Sequence, residues 1–271
     1  VAMGIAMLPP TRLVGVMSYP LFVLTLVLLV YLLVPGAPRV PVRNGARAWI
    51  DLHFMMFQPS ELAKVAFVLA LAWYLRHRSS YRTLRGLLVP FLIVFVPVGL
   101  ILKEPDLGTA LLFVPTLMAV LVAAGAKLRH LTALTALGVL VIGMNVAVIA
   151  LDAPPWMRVL KPHQEARIAS MLSPERYRDR EAYQQTVAKR LVAAGGVTGY
   201  GLDRSATVVR YNKLPFDHND MIYSVIVNRW GLIGAGGLLG LYGVLSGSFV
   251  LLTGQTKDPC VRLSCVGLGT M

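Results

Sequence analysis

Four residues, Asp217, His218, Asn219 and Asp220, stand immediately before the apolar run that opens at Met221. A carboxylate at the mouth of a membrane segment faces water on one side and hydrocarbon on the other. Partial burial there raises its pKa towards the range a general base needs. This stretch, with the carboxylates of Asp217 and Asp220 and the His218 imidazole, is therefore a place where a general base can sit. Asp and Asn are also favoured N-caps, so capping of the following helix and chemistry both stand as readings of this cluster.

Two further groups of costly residues recur at span mouths. Glu61 and Lys64 lie three apart in QPSELAK, on one helix face, where they can neutralise each other as a structural ion pair or handle substrate. Gln58-Pro59-Ser60-Glu61 reads as a helix start, with Pro in the first turn and a carboxylate at the positive helix end. Glu104 and Asp106 in EPDLGTA repeat that logic before the next apolar run. Lys161, Arg167, Lys189, Arg190, Arg204, Arg210 and Lys213 offer either a cationic surface for a pyrophosphate headgroup or a solvated charged loop. The glycines of GGVTGYG, Gly195 to Gly201, read as a flexible turn or, weakly, as a backbone cradle for phosphate. His53, His77, His130 and His163 show no ligand spacing, Cys260 and Cys265 form no metal pattern, and the metal ligands, if any, stay unknown.

The elements that position these residues are membrane spans. The chain has 271 residues, of which 56% are hydrophobic and 14% charged, with a mean hydropathy of +0.66. Runs of bilayer length fall at Leu13–Val34, Leu62–Leu75, Gly86–Leu102, Leu107–Ala124, Leu131–Leu151 and Met221–Leu252. The fold class expected is all-α: a polytopic transmembrane helix bundle with a large loop, residues 152–219, before the last long span, all within one transmembrane domain. The net charge of +13 suits anionic lipid headgroups or phosphorylated lipid substrates; no nucleic-acid-binding motif accompanies it.

Lys and Arg in short loops set orientation. Arg12, the cluster Arg76, Arg78, Arg82 and Arg85, then Lys127 with Arg129, and Lys257 with Arg262, all fall on one side if the spans alternate. That side is read as cytoplasmic. The opposite side receives residues 35–57, the Lys103–Asp106 turn and the 152–219 loop, with Trp49 and Trp156 near its boundary as interfacial aromatics. Within the loop, Glu181–Ala194 has helical composition and ends at Gly195-Gly196.

Five stretches in register resemble one family. Ala46 to Ile50 (ARAWI), Gln58 to Lys64 (QPSELAK), Glu104 to Ala110 (EPDLGTA), Tyr183 to Gly201, and Leu214 to Ile222 (LPFDHNDMI) are similar to the SEDS proteins of bacterial cell-wall synthesis, of RodA and FtsW type; Ala48 before Trp49 leans to the RodA side. The resemblance implies an inner-membrane, multi-pass, inverting peptidoglycan glycosyltransferase that polymerises lipid II into glycan strands. It also implies about ten spans, a divalent cation, Mg or Mn, and a class B penicillin-binding protein as transpeptidase partner. Carried over, the essential outer-loop aspartate falls on Asp220. Trp49, Glu61, Lys64, Glu104, Asp106, Lys213 and His218 are the candidates for substrate binding.

At Asn228-Arg229 the chain departs from the family, which usually carries a pair of acidic residues there. Val1 to Leu8 reads as the end of a further span, so the chain is expected to be part of a longer protein. Two other roles compete with polymerisation: a lipid-linked-precursor transporter whose pathway runs past Glu61 and Lys64, and a non-catalytic scaffold for a transpeptidase.

Overall fold

The computed structural model describes residues 11–42, 46–53, 55–104, 106–151, 183–202, 204, 205, 207 and 221–271. These residues form a polytopic membrane bundle of α1 (Thr11–Leu33), α2 (Pro59–Arg76), α3 (Leu88–Lys103), α4 (Leu107–Ala124), α5 (Leu128–Ala150), α6 (Tyr183–Gly195), α7 (Ile222–Gln255) and α8 (Pro259–Gly269). Among the described residues five segments are long and apolar enough to cross a bilayer: Arg12–Leu33, Arg85–Lys103, Leu107–Ala124, Leu128–Val148 and Ile222–Gln255. The remaining expected span, Leu62–Leu75, lies within α2. An element not foreseen is a minute antiparallel hairpin of β1 (Ile50–Asp51) and β2 (Met56–Phe57), which leads into α2. Its turn is held by the His53 amide donating to Asp51 Oδ1 at 2.8 Å.

Helix starts follow local chemistry. Gln58 is extended at the N-cap of α2, Pro59 occupies the first turn and needs no amide partner, and Glu61 sits near the positive helix end. Asp106 caps α4 by accepting from the Thr109 amide at 3.1 Å. That helix stops at Gly125, whose left-handed φ of 87° lets its amide reach the carbonyls of Leu121 and Val122. Asp258 caps α8, accepting from the Cys260 amide at 2.8 Å. The hydroxyls of Ser18, Thr25 and Thr116 bond backward to the carbonyls of Gly15, Phe22 and Leu112, so these three need no water within the hydrocarbon.

The chain forms two compact units, one comprising the chain up to Ala133 with Leu245–Met271, the other Leu134–Val244. In the first, α2 is the centre and touches α1, α3, α4 and α8. Its Ala63, Ala66, Ala70 and Ala72 are fully buried, and such small residues let neighbouring helices approach closely. Phe67 stacks on Phe113 of α4 with ring centroids 4.6 Å apart. Gly15 of α1 lies directly against the Trp73 ring, and Gly267 of α8 against Val68 and Val120.

In the second unit α6 lies along the first half of α7. Val187, Leu191 and Val225 form its buried cluster, with Ala188 and Met221 packed against it. The observed α6, Tyr183–Gly195, ends one residue beyond the helix read in the sequence. α7 is broken at Gly231, where φ 62° and ψ −158° interrupt the helical path.

Candidate functional site

The break in α7 is where the glycine segment after α6 docks. A Cβ on Gly231 would overlap the Val197 carbonyl, one on Gly199 the Arg229 carbonyl, and one on Gly195 the Val227 carbonyl. Backbone therefore lies on backbone, which only glycine permits. The interrupted helix leaves amides and carbonyls without helical partners, and the segment supplies them. Leu232 N donates to Gly196 O at 3.0 Å, Ile233 N to Val197 O at 3.3 Å, and Tyr200 N to Asn228 O at 2.9 Å. The Asn228 side chain, fully buried, adds a bond from Nδ2 to Leu191 O at 3.0 Å. The glycines of GGVTGYG thus serve close approach to α7, and the amides of Gly199 and Tyr200 are already engaged by the Gly195 and Asn228 carbonyls.

The seam fixes the direction of the first half of α7. Between that half and α6 lies a mainly apolar groove of about 410 Å³, lined by Ala188, Lys189, Val192, Ala193, Met221, Tyr223 and Ser224. Lys189 is exposed and brings a cation to an otherwise hydrocarbon-like surface. Such a groove suits an amphipathic ligand with an apolar body and an anionic end.

In the first unit the two acidic helix mouths are brought together. Gln58 Nε2 donates to Asp106 Oδ2 at 3.2 Å, joining the N-cap residues of α2 and α4. Glu104, in the turn between α3 and α4, is 2% exposed, and neither of its carboxyl oxygens has a hydrogen-bond partner among the described residues. Burial, and secondarily the Asp106 carboxylate, push its pKa up to about 8. Lys64 Nζ and Glu61 Oε1 form the expected ion pair at 2.8 Å. The pair lies on a flank of α2 rather than inside the packed core, since the Glu61 side chain is 56% exposed.

Of the residues singled out in the sequence, Gln58, Glu104 and Asp106 meet in one unit, with Glu61 and Lys64 on the helix that Gln58 caps. Trp49 is half-buried beside the hairpin. Asp220, His218 and Lys213 lie outside the described residues. Lys189 entered the sequence reading only as one of seven loop cations, and the structure sets it apart by the groove. The break at Gly231 went unread, although a glycine followed by renewed apolar residues is its trace. Among the described residues no three His, Cys, Asp or Glu side chains converge on one point. Asp106, the carboxylate nearest Glu104 in this turn, is already engaged by Gln58 and Thr109. The described residues therefore do not by themselves fit a divalent cation.

Comparison with known proteins covers the same ground. A probable peptidoglycan glycosyltransferase FtsW of Coxiella burnetii is 32% identical over 240 residues, 88% of this chain and 60% of that protein. The peptidoglycan glycosyltransferase MrdB of Escherichia coli is 29% identical over 275 residues, 99% of this chain and 70% of that protein. The chain thus spans about three fifths of the FtsW relative. A solved chain of a peptidoglycan synthase complex that coordinates polymerization and crosslinking matches with a TM-score of 0.74 and 32% identity, over 97% of this chain and 68% of that one. The rod shape determining protein RodA of Thermus thermophilus matches with a TM-score of 0.58 and 29% identity, over 95% and 62%. The cell cycle protein family of FtsW, RodA and SpoVE matches residues 1–271, and the chain belongs to that family.

Proposed function

We propose that the full-length protein is a peptidoglycan glycosyltransferase of the bacterial inner membrane that polymerises lipid II into glycan strands with inversion, Asp220 acting as general base. The observation that carries this reading is the groove between α6 and α7. Met221, the next residue in the chain after Asp220, is at once a wall of that groove and packed against the apolar cluster that fixes the start of α7.

In this reading Asp220 takes the proton from the acceptor sugar's 4-hydroxyl. The freed oxygen attacks the anomeric carbon of the donor sugar, and the bond to the prenyl diphosphate breaks. Lys189 meets the negative charge that develops on the departing diphosphate. The apolar groove wall accompanies the first prenyl units. A divalent cation, when bound, would add further charge stabilisation to the leaving group; no step here depends on it. The synthase complex among the similar structures supports a transpeptidase of class B penicillin-binding type as partner.

Purified full-length protein supplied with lipid II tests the reading. Glycan strands should form, and Asp220→Asn should abolish them while leaving folding intact. Polymerisation that survives Asp220→Asn would sink the assignment. If Glu61→Gln instead stopped precursor movement across vesicles, transport would replace it.

A further inference from the structure

The ends of α1 and α2 on the side read as cytoplasmic enclose a second cavity, of about 450 Å³, lined by Arg12, Val16, Trp73, Arg76, His77 and Asp258. All six belong to the first unit. Arg76 is held in place from two directions. Its guanidinium carbon lies 5.2 Å from the centre of the Trp73 ring, and its Nη1 lies 3.6 Å from Asp258 Oδ2. The latter distance is an ion-pair contact, too long for a hydrogen bond, so donors of the guanidinium remain available. Trp73 is itself braced edge-on by His77, with ring centroids 5.2 Å apart. Arg12 is exposed and makes no ion pair among the described residues. Two guanidinium groups against one carboxylate leave these three side chains with one net positive charge.

One side of the cavity is apolar. Val16 forms part of the wall, and exposed Leu13 and Met17 continue it along α1 into the span. Charge at the span end, a tryptophan at the same level and an apolar strip leading into the hydrocarbon match the profile of a lipid lying at the interface. We infer that this cavity binds the phosphodiester headgroup of an anionic glycerophospholipid, with Arg12 and Arg76 on the phosphate and the first acyl methylenes against Val16. A phosphodiester carries a single negative charge, which the cavity neutralises in full. A soluble phosphate ester offers the same charge but nothing for the apolar strip. Because Asp258 caps α8, occupation of the cavity also bears on the helix that seals α2 and α4.

The test uses full-length protein in phosphatidylcholine nanodiscs containing a minor fraction of phosphatidylglycerol, released and weighed by native mass spectrometry. Phosphatidylglycerol should be retained in preference to phosphatidylcholine. Arg12→Gln and Arg76→Gln should each weaken that retention about tenfold, the loss of one charge-assisted contact. Arg85→Gln, which removes an exposed arginine on the same side but outside the cavity, should leave it unchanged. Soluble glycerophosphoglycerol should fail to displace the lipid. Equal retention of both lipids overturns the proposal, and so does retention indifferent to Arg12→Gln, a change at an exposed position that does not threaten the fold. Displacement by the soluble headgroup at the lipid's own concentration would make this a phosphate-ester site and not a lipid site.

Discussion

Gln58 Nε2 donates to Asp106 Oδ2 at 3.2 Å, so the residue that begins α2 holds the carboxylate that caps α4. Asp106 meanwhile accepts from the Thr109 amide through its other oxygen. Both oxygens are engaged, and two helix mouths that share the acidic residues of the site are fixed at one separation. Asp106→Ala removes cap and link together and is expected to lower stability by about 1–3 kcal/mol. Gln58→Ala removes the link alone and should cost less. Thermal unfolding in detergent of the two single variants and the double variant checks this. A double variant equal to the sum of the singles would show that the two side chains act independently.

Glu104 makes the same region pH-sensitive. Its carboxyl titrates near 8 in the folded protein against an ordinary 4.5, because burial and then Asp106 disfavour its charged form. Between those values the folded state binds more protons than the unfolded one. The contribution to stability is therefore fully present below the lower value and is lost as pH rises through the upper. Glu104→Gln cannot titrate. Relative to this variant, wild type should lose melting temperature between about pH 5 and about pH 9. Parallel curves for the two proteins would show that Glu104 is not the group responsible.

The seam at the break of α7 sorts glycines by what surrounds them. Gly199 and Gly231 have positive φ and face backbone atoms of the opposite strand of the seam, whereas nothing lies within 4 Å of a Cβ placed on Gly236 or Gly240. Gly231→Ala and Gly199→Ala are expected to cost about 2–4 kcal/mol through strain and forced separation of the two backbones. Gly240→Ala, mid-helix, should be neutral or gain about 0.5–1 kcal/mol. Detergent melting temperatures distinguish the two classes, and equal effects would remove the case for close approach.

What could be read from the sequence was what depends on near neighbours in the chain. Gln58-Pro59 and Asp106 announce helix starts within four residues, and each helix begins where they indicate. Glu61 and Lys64 announce a pair because one helix turn separates them. Bilayer-length apolar runs announce spans for the same reason. Gly195, Gly199 and Gly231 gave no such notice: their purpose is a contact across some thirty residues of chain, and glycine alone does not say what approaches it. Arg76 and Asp258, 182 residues apart in the sequence, likewise meet only because α8 folds back onto α2. The hairpin at Ile50–Phe57 is too short to leave a period. Asp220, read as the base, lies outside the described residues, so its assignment rests on the motif and on the groove that begins at the next residue.

Asn228 shows how a departure from the family pattern is accommodated. The SEDS resemblance leads one to expect acidic residues at 228 and 229. Here the fully buried Asn228 uses its amide to donate to the Leu191 carbonyl at 3.0 Å, binding α7 to α6 beside the groove. Its Oδ1 has no partner among the described residues. A carboxylate in this place would face the carbonyl with no proton to share, and its charge would be fully buried. Asn228→Asp is therefore expected to destabilise by about 2–4 kcal/mol at neutral pH. It should recover part of that loss in acid, where the protonated carboxyl donates in the amide's stead. Asn228→Ala should cost less and show no recovery. If Asn228→Asp were as stable as wild type at neutral pH, Arg229 would have to be its counter-ion. The added variant Arg229→Gln would then collapse the stability that Asn228→Asp had kept.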